Sequence, residues 1–133
     1  MRVLLANEPR LYREVLAETF QGLRPQLEAC AVEREELNQA ILRVRPDLVI
    51  CDRVTPVVEA TVRFWIEYRE ENETLVVTAT NVWGLALHTD AMSLNSLLAV
   101  IDRTKELLAH TNHTDARTRD GPRKIHVDNK GDG

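Results

Sequence analysis

The chain lacks the positive charge that several functional classes need. Its 133 residues carry a formal net charge of −4 at pH 7, and the pI is about 5.6. Proteins that bind nucleic acid or anionic membranes generally present a basic surface. The charge therefore argues against both kinds of partner, and we expect the partner to be a protein or a small ligand.

Long apolar runs and clustered cysteines are also missing. No stretch reaches the roughly 18 apolar residues of a membrane-spanning helix, and the N-terminal segment turns acidic at Glu8, too early for a signal peptide. We therefore expect a cytoplasmic protein. The two cysteines, Cys30 and Cys51, both lie in apolar segments. We interpret them as small buried hydrophobic residues rather than as a disulfide or a metal site.

What the sequence does contain is an alternation of short apolar runs with segments of helical periodicity. Apolar runs without internal alternation are typical of strands that are covered on both faces. The predicted strands are residues 2–6, 27–32, 47–52, 75–79 and 85–88. The first two predicted helices run from Pro9 to Leu23 and over residues 37–44. Pro56 opens the third, in which Val58, Val62, Trp65, Ile66 and Arg69 share a face. Ser93 caps the last, which extends to Leu108.

This order of elements predicts an α/β fold. Strands that alternate with helices imply right-handed crossovers and a parallel sheet with helices on both faces. We assign residues 1–110 to one domain and the polar residues 111–133 to a disordered tail. Too few residues separate the fourth and fifth predicted strands for a full helix. The fifth strand must follow a tight loop, which we favour, or run antiparallel as a hairpin.

Polar side chains follow the predicted strands where ligands of open α/β sheets bind, at the carboxyl ends. Asn7 and Glu8 end the first strand, Asp52 ends the third, and Thr78 lies near the end of the fourth. Such oxygen atoms are the ligands that magnesium prefers, and a carboxylate beside the ion can attack a phosphoryl group. The sequence therefore predicts a site in which Asp52 is the nucleophile.

Several motifs resemble those of the receiver domains of bacterial two-component response regulators. The segment Asn7-Glu8-Pro-Arg-Leu-Tyr-Arg-Glu-Val-Leu is similar to the acidic pair and first helix of these domains. Pro46-Asp-Leu-Val-Ile-Cys-Asp52, with Pro56 four residues later, resembles their phosphoacceptor strand and loop. Leu75-Val-Val-Thr78-Ala79 is similar to the strand of the switch hydroxyl, and Ser93-Leu-Asn-Ser-Leu-Leu to the start of the last helix.

The resemblance spans about residues 2–108 and implies both a fold and a set of roles. The implied fold is a flavodoxin-like (CheY-like) doubly wound parallel five-stranded sheet whose helix between strands 4 and 5 is missing or vestigial. The implied roles are phosphoacceptor for Asp52, switch for Thr78, and magnesium contact for Glu8 and Asp52. Asn7 would make a weaker, water-mediated contact with the ion.

The sequence departs from the receiver pattern at the same site. Asn7 and Glu8 stand where receivers usually have two aspartates, so we expect the Mg²⁺ site to be weak or absent. Asp90 falls where the family has a lysine, and Arg53 is the one nearby cation. The loop after Pro56 also lacks the usual glycine. A lysine or arginine that reaches Asp52 from elsewhere would favour an active phosphoacceptor.

These features give one preferred hypothesis and two alternatives. We expect a stand-alone atypical receiver, or pseudo-receiver, that is not an enzyme and acts in two-component signal transduction through contacts with a histidine kinase or a downstream regulator. It could also form a homodimer through its first or last helix. The first alternative is a phosphorelay receiver that a histidine kinase phosphorylates on Asp52 with Mg²⁺. The second is a flavodoxin-like small-ligand-binding domain, although no glycine-rich phosphate loop follows the first strand.

Trp83 lies in the segment where the missing helix would be expected. A tryptophan there either fills the space that the helix would occupy or lies exposed as an anchor for a partner. We favour the first of these interpretations.

Overall fold

The computed structural model describes residues 1–71, 74–84 and 94–114, without the side chains of residues 70–71, 74–75 and 111–114. The predicted strand over residues 85–88, the acid at Asp90, the cap at Ser93 and most of the predicted tail lie outside the described residues. The last helix continues to Thr114, beyond the predicted domain boundary at residue 110. None of the described helices combines the length and the apolar character needed to cross a bilayer.

The described elements follow one another closely along the chain. The strands are β1 (Arg2–Ala6), β2 (Glu28–Ala31), β3 (Leu48–Cys51), β4 (Phe64–Glu71) and β5 (Thr74–Thr80). The helices are α1 (Arg10–Leu23), α2 (Leu37–Val44), α3 (Pro56–Thr61) and α4 (Leu94–Thr114), and a 3₁₀ turn (Arg34–Glu36) leads into α2. The first three predicted strands and the first two predicted helices are confirmed to within a residue or two at their ends.

The strands form one sheet in the order β2-β1-β3-β4-β5. The first four strands in this order are parallel, whereas β5 pairs antiparallel with β4. The prediction of an α/β fold with a five-stranded, mostly parallel sheet is confirmed. The parallel direction predicted for the strand over residues 75–79 is wrong, because this segment is the antiparallel β5. The predicted fifth strand lies outside the described residues.

The third helix is much shorter than predicted, and this difference explains why the antiparallel strand was not predicted. The helix ends at Thr61 because Val62 is already extended, and the residues from Phe64 onward form β4. Both faces of β4 are covered, so Phe64, Trp65 and Ile66 are consecutive apolar residues, and with Val58 and Val62 they mimic a helical stripe. The segment predicted as the fourth strand is therefore β5, and it returns from β4 as a hairpin.

Helices cover the two faces of the sheet. Helices α1 and α4 pack on one face, where Phe20, Ile50 and Ile101 belong to one buried cluster. Helices α2 and α3 pack on the other face, where Ile41 and Trp65 belong to a second cluster. Strands β1 and β3 lie between the two clusters and are almost completely buried. This packing fixes the central strands and therefore the residues that follow them.

The two cysteines differ in their environment. Cys51, at the end of β3, is buried as predicted, and burial raises the pKa of its thiol to about 12. The prediction is wrong for Cys30, which is exposed. Cys30 lies in β2, at the edge of the sheet, where side chains alternate between exposed and partly buried positions. An apolar run alone does not distinguish such an edge strand from a central one.

Candidate functional site

The residues after β1 and β3 meet at the carboxyl edge of the sheet, as predicted. Ala6 pairs with Cys51 in the parallel register, so Asn7 and Asp52 follow neighbouring strands at the same level. Cys51 also pairs with Glu67 of β4, which brings a further carboxylate to this edge. The candidate site is therefore built by three adjacent strands.

Asp52 is held by an arginine from another part of the chain. Its Oδ2 accepts a hydrogen bond of 2.8 Å from Nη2 of Arg34, in the 3₁₀ turn that follows β2. Its Oδ1 is buried and has no hydrogen-bond partner among the described residues, and the side chain is 20% exposed. Sequence reasoning identified only Arg53 as a nearby cation. Arg34 follows the second predicted strand at the same edge, and that position was the signal that could have revealed it.

Asn7 lies at the most buried point of the edge. The residue is 1% exposed, and within the described part of the chain neither Oδ1 nor Nδ2 of its amide has a hydrogen-bond partner. Buried polar atoms without partners are unusual in native proteins and commonly mark the position of a water or an ion. The amide of Asn7 and Oδ1 of Asp52 are such atoms on adjacent strands.

Glu8 faces a buried arginine of α1. Nη1 of Arg13 lies 3.4 Å from Oε2 of Glu8 and donates to the backbone carbonyl of Asn7 at 3.2 Å. Nη2 of the same side chain lies 3.9 Å from a carboxylate oxygen of Glu33. The guanidinium therefore neutralises the charge of Glu8 that the sequence assigned to magnesium.

Part of this edge has the oxygen atoms that a magnesium ion prefers. Oδ1 of Asp52 and Oδ1 of Asn7 are oxygen atoms of the type that Mg²⁺ prefers, and both lack a partner among the described residues. Glu8 and the other oxygen of Asp52 already face guanidinium groups. In the described ranges, no three His, Cys, Asp or Glu side chains converge as a metal-binding group.

Thr78 lies in the β4–β5 hairpin and bonds to Glu67 rather than to Asp52. Its Oγ1 donates to Oε1 of Glu67 at 2.5 Å, next to a break in the register of the hairpin at Glu67. The sequence placed Thr78 near the carboxyl end of a parallel strand. That placement is wrong, because β5 is antiparallel. The register places Thr78 beside Glu67, which pairs with Cys51, and its hydroxyl contacts the edge through the Glu67 carboxylate.

Glu67 is a site residue that sequence reasoning missed. It is 7% exposed, and its Oε2 accepts a hydrogen bond of 2.9 Å from the backbone N–H of Val54, two residues after Asp52. Nε of Arg69 lies 3.5 Å from its Oε1. Glu67 was overlooked because its segment was assigned to a helix. It connects the loop after Asp52 with the hairpin that carries Thr78.

Two surface clefts lie at this edge, one lined by Asp52 and one by Glu67. The first, of about 250 Å³, is lined by Arg34, Asp52, Arg53 and Arg69. We call it the arginine cleft. The second, of about 320 Å³, is lined by Val54, Glu59, Trp65, Glu67, Arg69, Thr78 and Ala79. Arg69 borders both clefts, so the arginine cleft and the cleft around Glu67 are neighbours.

Trp83 lies at the surface rather than in a buried gap. Its residue is 41% exposed, and the guanidinium of Arg103 on α4 lies 5.7 Å from the ring centroid. Nε of Arg103 also donates to the carbonyl oxygen of Trp83 at 2.9 Å. The interpretation of Trp83 as a buried filler is therefore wrong for the described structure.

Comparisons of the chain with protein-family models, with curated proteins and with solved structures gave no match in any of the three.

Proposed function

We propose that this chain is an atypical receiver, or pseudo-receiver, that acts in two-component-type signalling through contacts with other proteins. The proposal rests on the sequence motifs around Asp52 and on the parallel part of the sheet, with strand order 2-1-3-4. In this proposal the fold is a flavodoxin-like variant in which the last strand is reversed. Asp52 keeps its place after the central strand β3.

The observation that carries the proposal is that both carboxylate oxygens of Asp52 are withdrawn from a phosphoryl donor. Oδ2 of Asp52 accepts a hydrogen bond from Arg34, and Oδ1 is buried. A carboxylate attacks a phosphoryl group only through an oxygen that the donor can approach. In the described conformation neither oxygen is free for that attack. The Arg34–Asp52 pair would instead hold the edge in a single state, in which the guanidinium neutralises the carboxylate.

The ligands that the edge offers to magnesium support the same conclusion. Mg²⁺ would neutralise charge on the transferred phosphoryl group, and Asp52 with Asn7 would be its ligands. Asn7 contributes no negative charge, and Glu8 is neutralised by Arg13. The chain thus offers the ion fewer charges than two free aspartates would. We therefore propose weak magnesium binding at most.

A surface on α1 supports a role in protein contacts. Leu11 is 70% exposed, and Val15, one turn further along the same helix, is also exposed. Large apolar side chains that share an exposed helix face favour association with another protein. We propose this face as the contact for a histidine kinase, a downstream regulator or a second copy of the chain.

One observation favours a second candidate function. An arginine from elsewhere in the chain does reach Asp52, and such a cation could pair with a phosphoryl group after Arg34 leaves the carboxylate. In this phosphoacceptor, a bond forms between an Asp52 oxygen and phosphorus while the bond from phosphorus to the donor breaks. Asp52 would then be phosphorylated by a histidine kinase with Mg²⁺.

Intact-mass measurement after incubation with acetyl phosphate and Mg²⁺ distinguishes the two functions. We expect the wild-type mass to remain unchanged, because Oδ1 of Asp52 is buried and Oδ2 is bonded to Arg34. An active receiver treated in parallel shows that the reagents work. A gain of one phosphoryl group that Asp52→Asn abolishes, and that Asp102→Asn on α4 leaves intact, would refute the pseudo-receiver and establish the phosphoacceptor.

A further inference from the structure

We propose that the arginine cleft binds a phosphate-class oxyanion reversibly, either free phosphate or a small phosphomonoester. The site is lined by Arg34, Arg53 and Arg69 together with Asp52. The binding is non-covalent and involves no transfer to Asp52. This inference rests on the geometry of the cleft and does not depend on the receiver assignment.

The charge of the cleft is opposite to that of the whole chain. Three arginines and one carboxylate line the cleft, and Nε of Arg69 also lies 3.5 Å from Oε1 of Glu67 beside it. The local charge is therefore positive, whereas the chain as a whole has a formal net charge of −4. Positive charges gathered in a concave site on an acidic protein raise the local concentration of anions. The sign of the cleft therefore selects an anionic ligand.

The donors of the cleft fit a tetrahedral oxyanion. A guanidinium presents five N–H donors in a plane and pairs with two oxygens of a phosphate at once. The hydrogen bond from Nη2 of Arg34 to Asp52 uses one donor of that side chain. Arg34 and Arg69 have side chains that are about half exposed, and Arg53 is exposed as well. These guanidinium groups can turn toward a ligand without unfolding the edge.

Asp52 makes the cleft selective among oxyanions. An ionised carboxylate can only accept hydrogen bonds, so it repels an anion that brings no hydrogen. Phosphate near neutral pH keeps at least one O–H, which can donate to Oδ2 of Asp52 while its other oxygens accept from the arginines. Sulfate is fully deprotonated under the same conditions. The cleft should therefore prefer phosphate over sulfate.

Isothermal titration calorimetry with inorganic phosphate at neutral pH tests this proposal. We expect Arg53→Gln to weaken phosphate binding by about tenfold or more, because one charge-assisted contact is lost. The matched control is Arg43→Gln, which removes the same charge from an exposed position on α2 outside the cleft. It should change the affinity by less than about twofold. Unchanged unfolding midpoints show that both variants are folded.

Two further ligands complete the test. Sulfate at matched ionic strength should bind more weakly than phosphate, and O-phospho-L-serine distinguishes a phosphomonoester site from one that accepts only free phosphate. Absence of phosphate binding, or equal weakening by Arg43→Gln, would overturn the site. Sulfate binding as tight as that of phosphate would overturn the role of Asp52. A gain in the intact mass of the protein after the titration would overturn reversible binding. The mass is measured separately from the heat of binding.

Discussion

At the scale of single residues, Glu67 links the candidate site to the rest of the sheet. Its carboxylate accepts from the backbone N–H of Val54 and from the hydroxyl of Thr78. The first contact fixes the loop after Asp52, and the second fixes the β4–β5 hairpin. A change in the conformation of that loop would therefore act on the hairpin through one buried side chain.

Replacement of Glu67 tests this role. Glu67→Ala leaves the N–H of Val54 and the hydroxyl of Thr78 without their acceptor, so we expect the free energy of unfolding to fall by about 1–3 kcal/mol. Glu67→Gln keeps an acceptor oxygen and should lose less. Unfolding in urea measures both values. The control is Glu14→Ala, which removes an exposed carboxylate that pairs with Arg10, and it should change stability by less than about 0.5 kcal/mol. Equal losses in Glu67→Ala and Glu14→Ala would contradict the role of Glu67.

The residue scale also shows where sequence reasoning succeeds. Asn7 and Asp52 directly follow buried apolar runs, and parallel pairing of those runs is enough to bring them to one edge. Arg34 was not identified because its contact with Asp52 depends on the path of the turn after β2. The bond of Thr78 to Glu67 was not predicted because β4 was taken as a helix and β5 as a parallel strand. Local patterns thus predict which residues end a strand, but not which side chains meet across loops.

At the scale of elements, α1 and α4 are joined by an ion pair at the opposite end of α1 from Glu8. The guanidinium of Arg24 donates to both carboxylate oxygens of Asp102, at 2.9 Å and 3.1 Å. The residues are 78 positions apart in sequence. The hydrogen bond from Arg24 lowers the pKa of Asp102 below its ordinary value of 3.8. The pair therefore connects the first and last described helices on one face of the sheet.

This ion pair predicts a pH-dependent contribution to stability. A carboxylate whose pKa is lower in the folded state stabilises that state above its ordinary pKa, and the contribution is lost as the pH falls through the folded value. We expect Asp102→Asn to be less stable than the wild type near pH 6, and the difference to vanish as the pH falls well below 3.8. Urea unfolding across this range measures it. A difference that is constant with pH would contradict the assignment.

The elements also show why part of the fold could not be predicted. Central strands β1 and β3 are short, apolar and bounded by turns, so their pattern has one interpretation. Strand β4 follows α3 almost directly, and Val58, Val62, Trp65 and Ile66 satisfy a helical spacing across the boundary. Short apolar runs do not distinguish a buried strand from a buried helix. Once β4 was missed, the direction and the number of the next strand were wrong as well.

At the scale of the whole molecule, two apolar layers hold a sheet whose carboxyl edge gathers charged side chains. Asp52 pairs with Arg34 and Glu8 with Arg13, while Arg53 and Arg69 border the same region. Composition predicted an acidic chain, yet this edge is locally basic at the arginine cleft. An overall charge cannot predict such a concentration, because it depends on which loops the strand order brings together.

The central claim is that Arg34 neutralises Asp52 at the end of β3, and a double-mutant cycle tests it most directly. The cycle compares the free energies of unfolding of the wild type, Arg34→Gln, Asp52→Asn and the double variant. We predict a coupling free energy on the order of 1 kcal/mol that stabilises the pair, as for a partly exposed, directly bonded ion pair. A coupling indistinguishable from zero, with all four proteins folded, would contradict the claim.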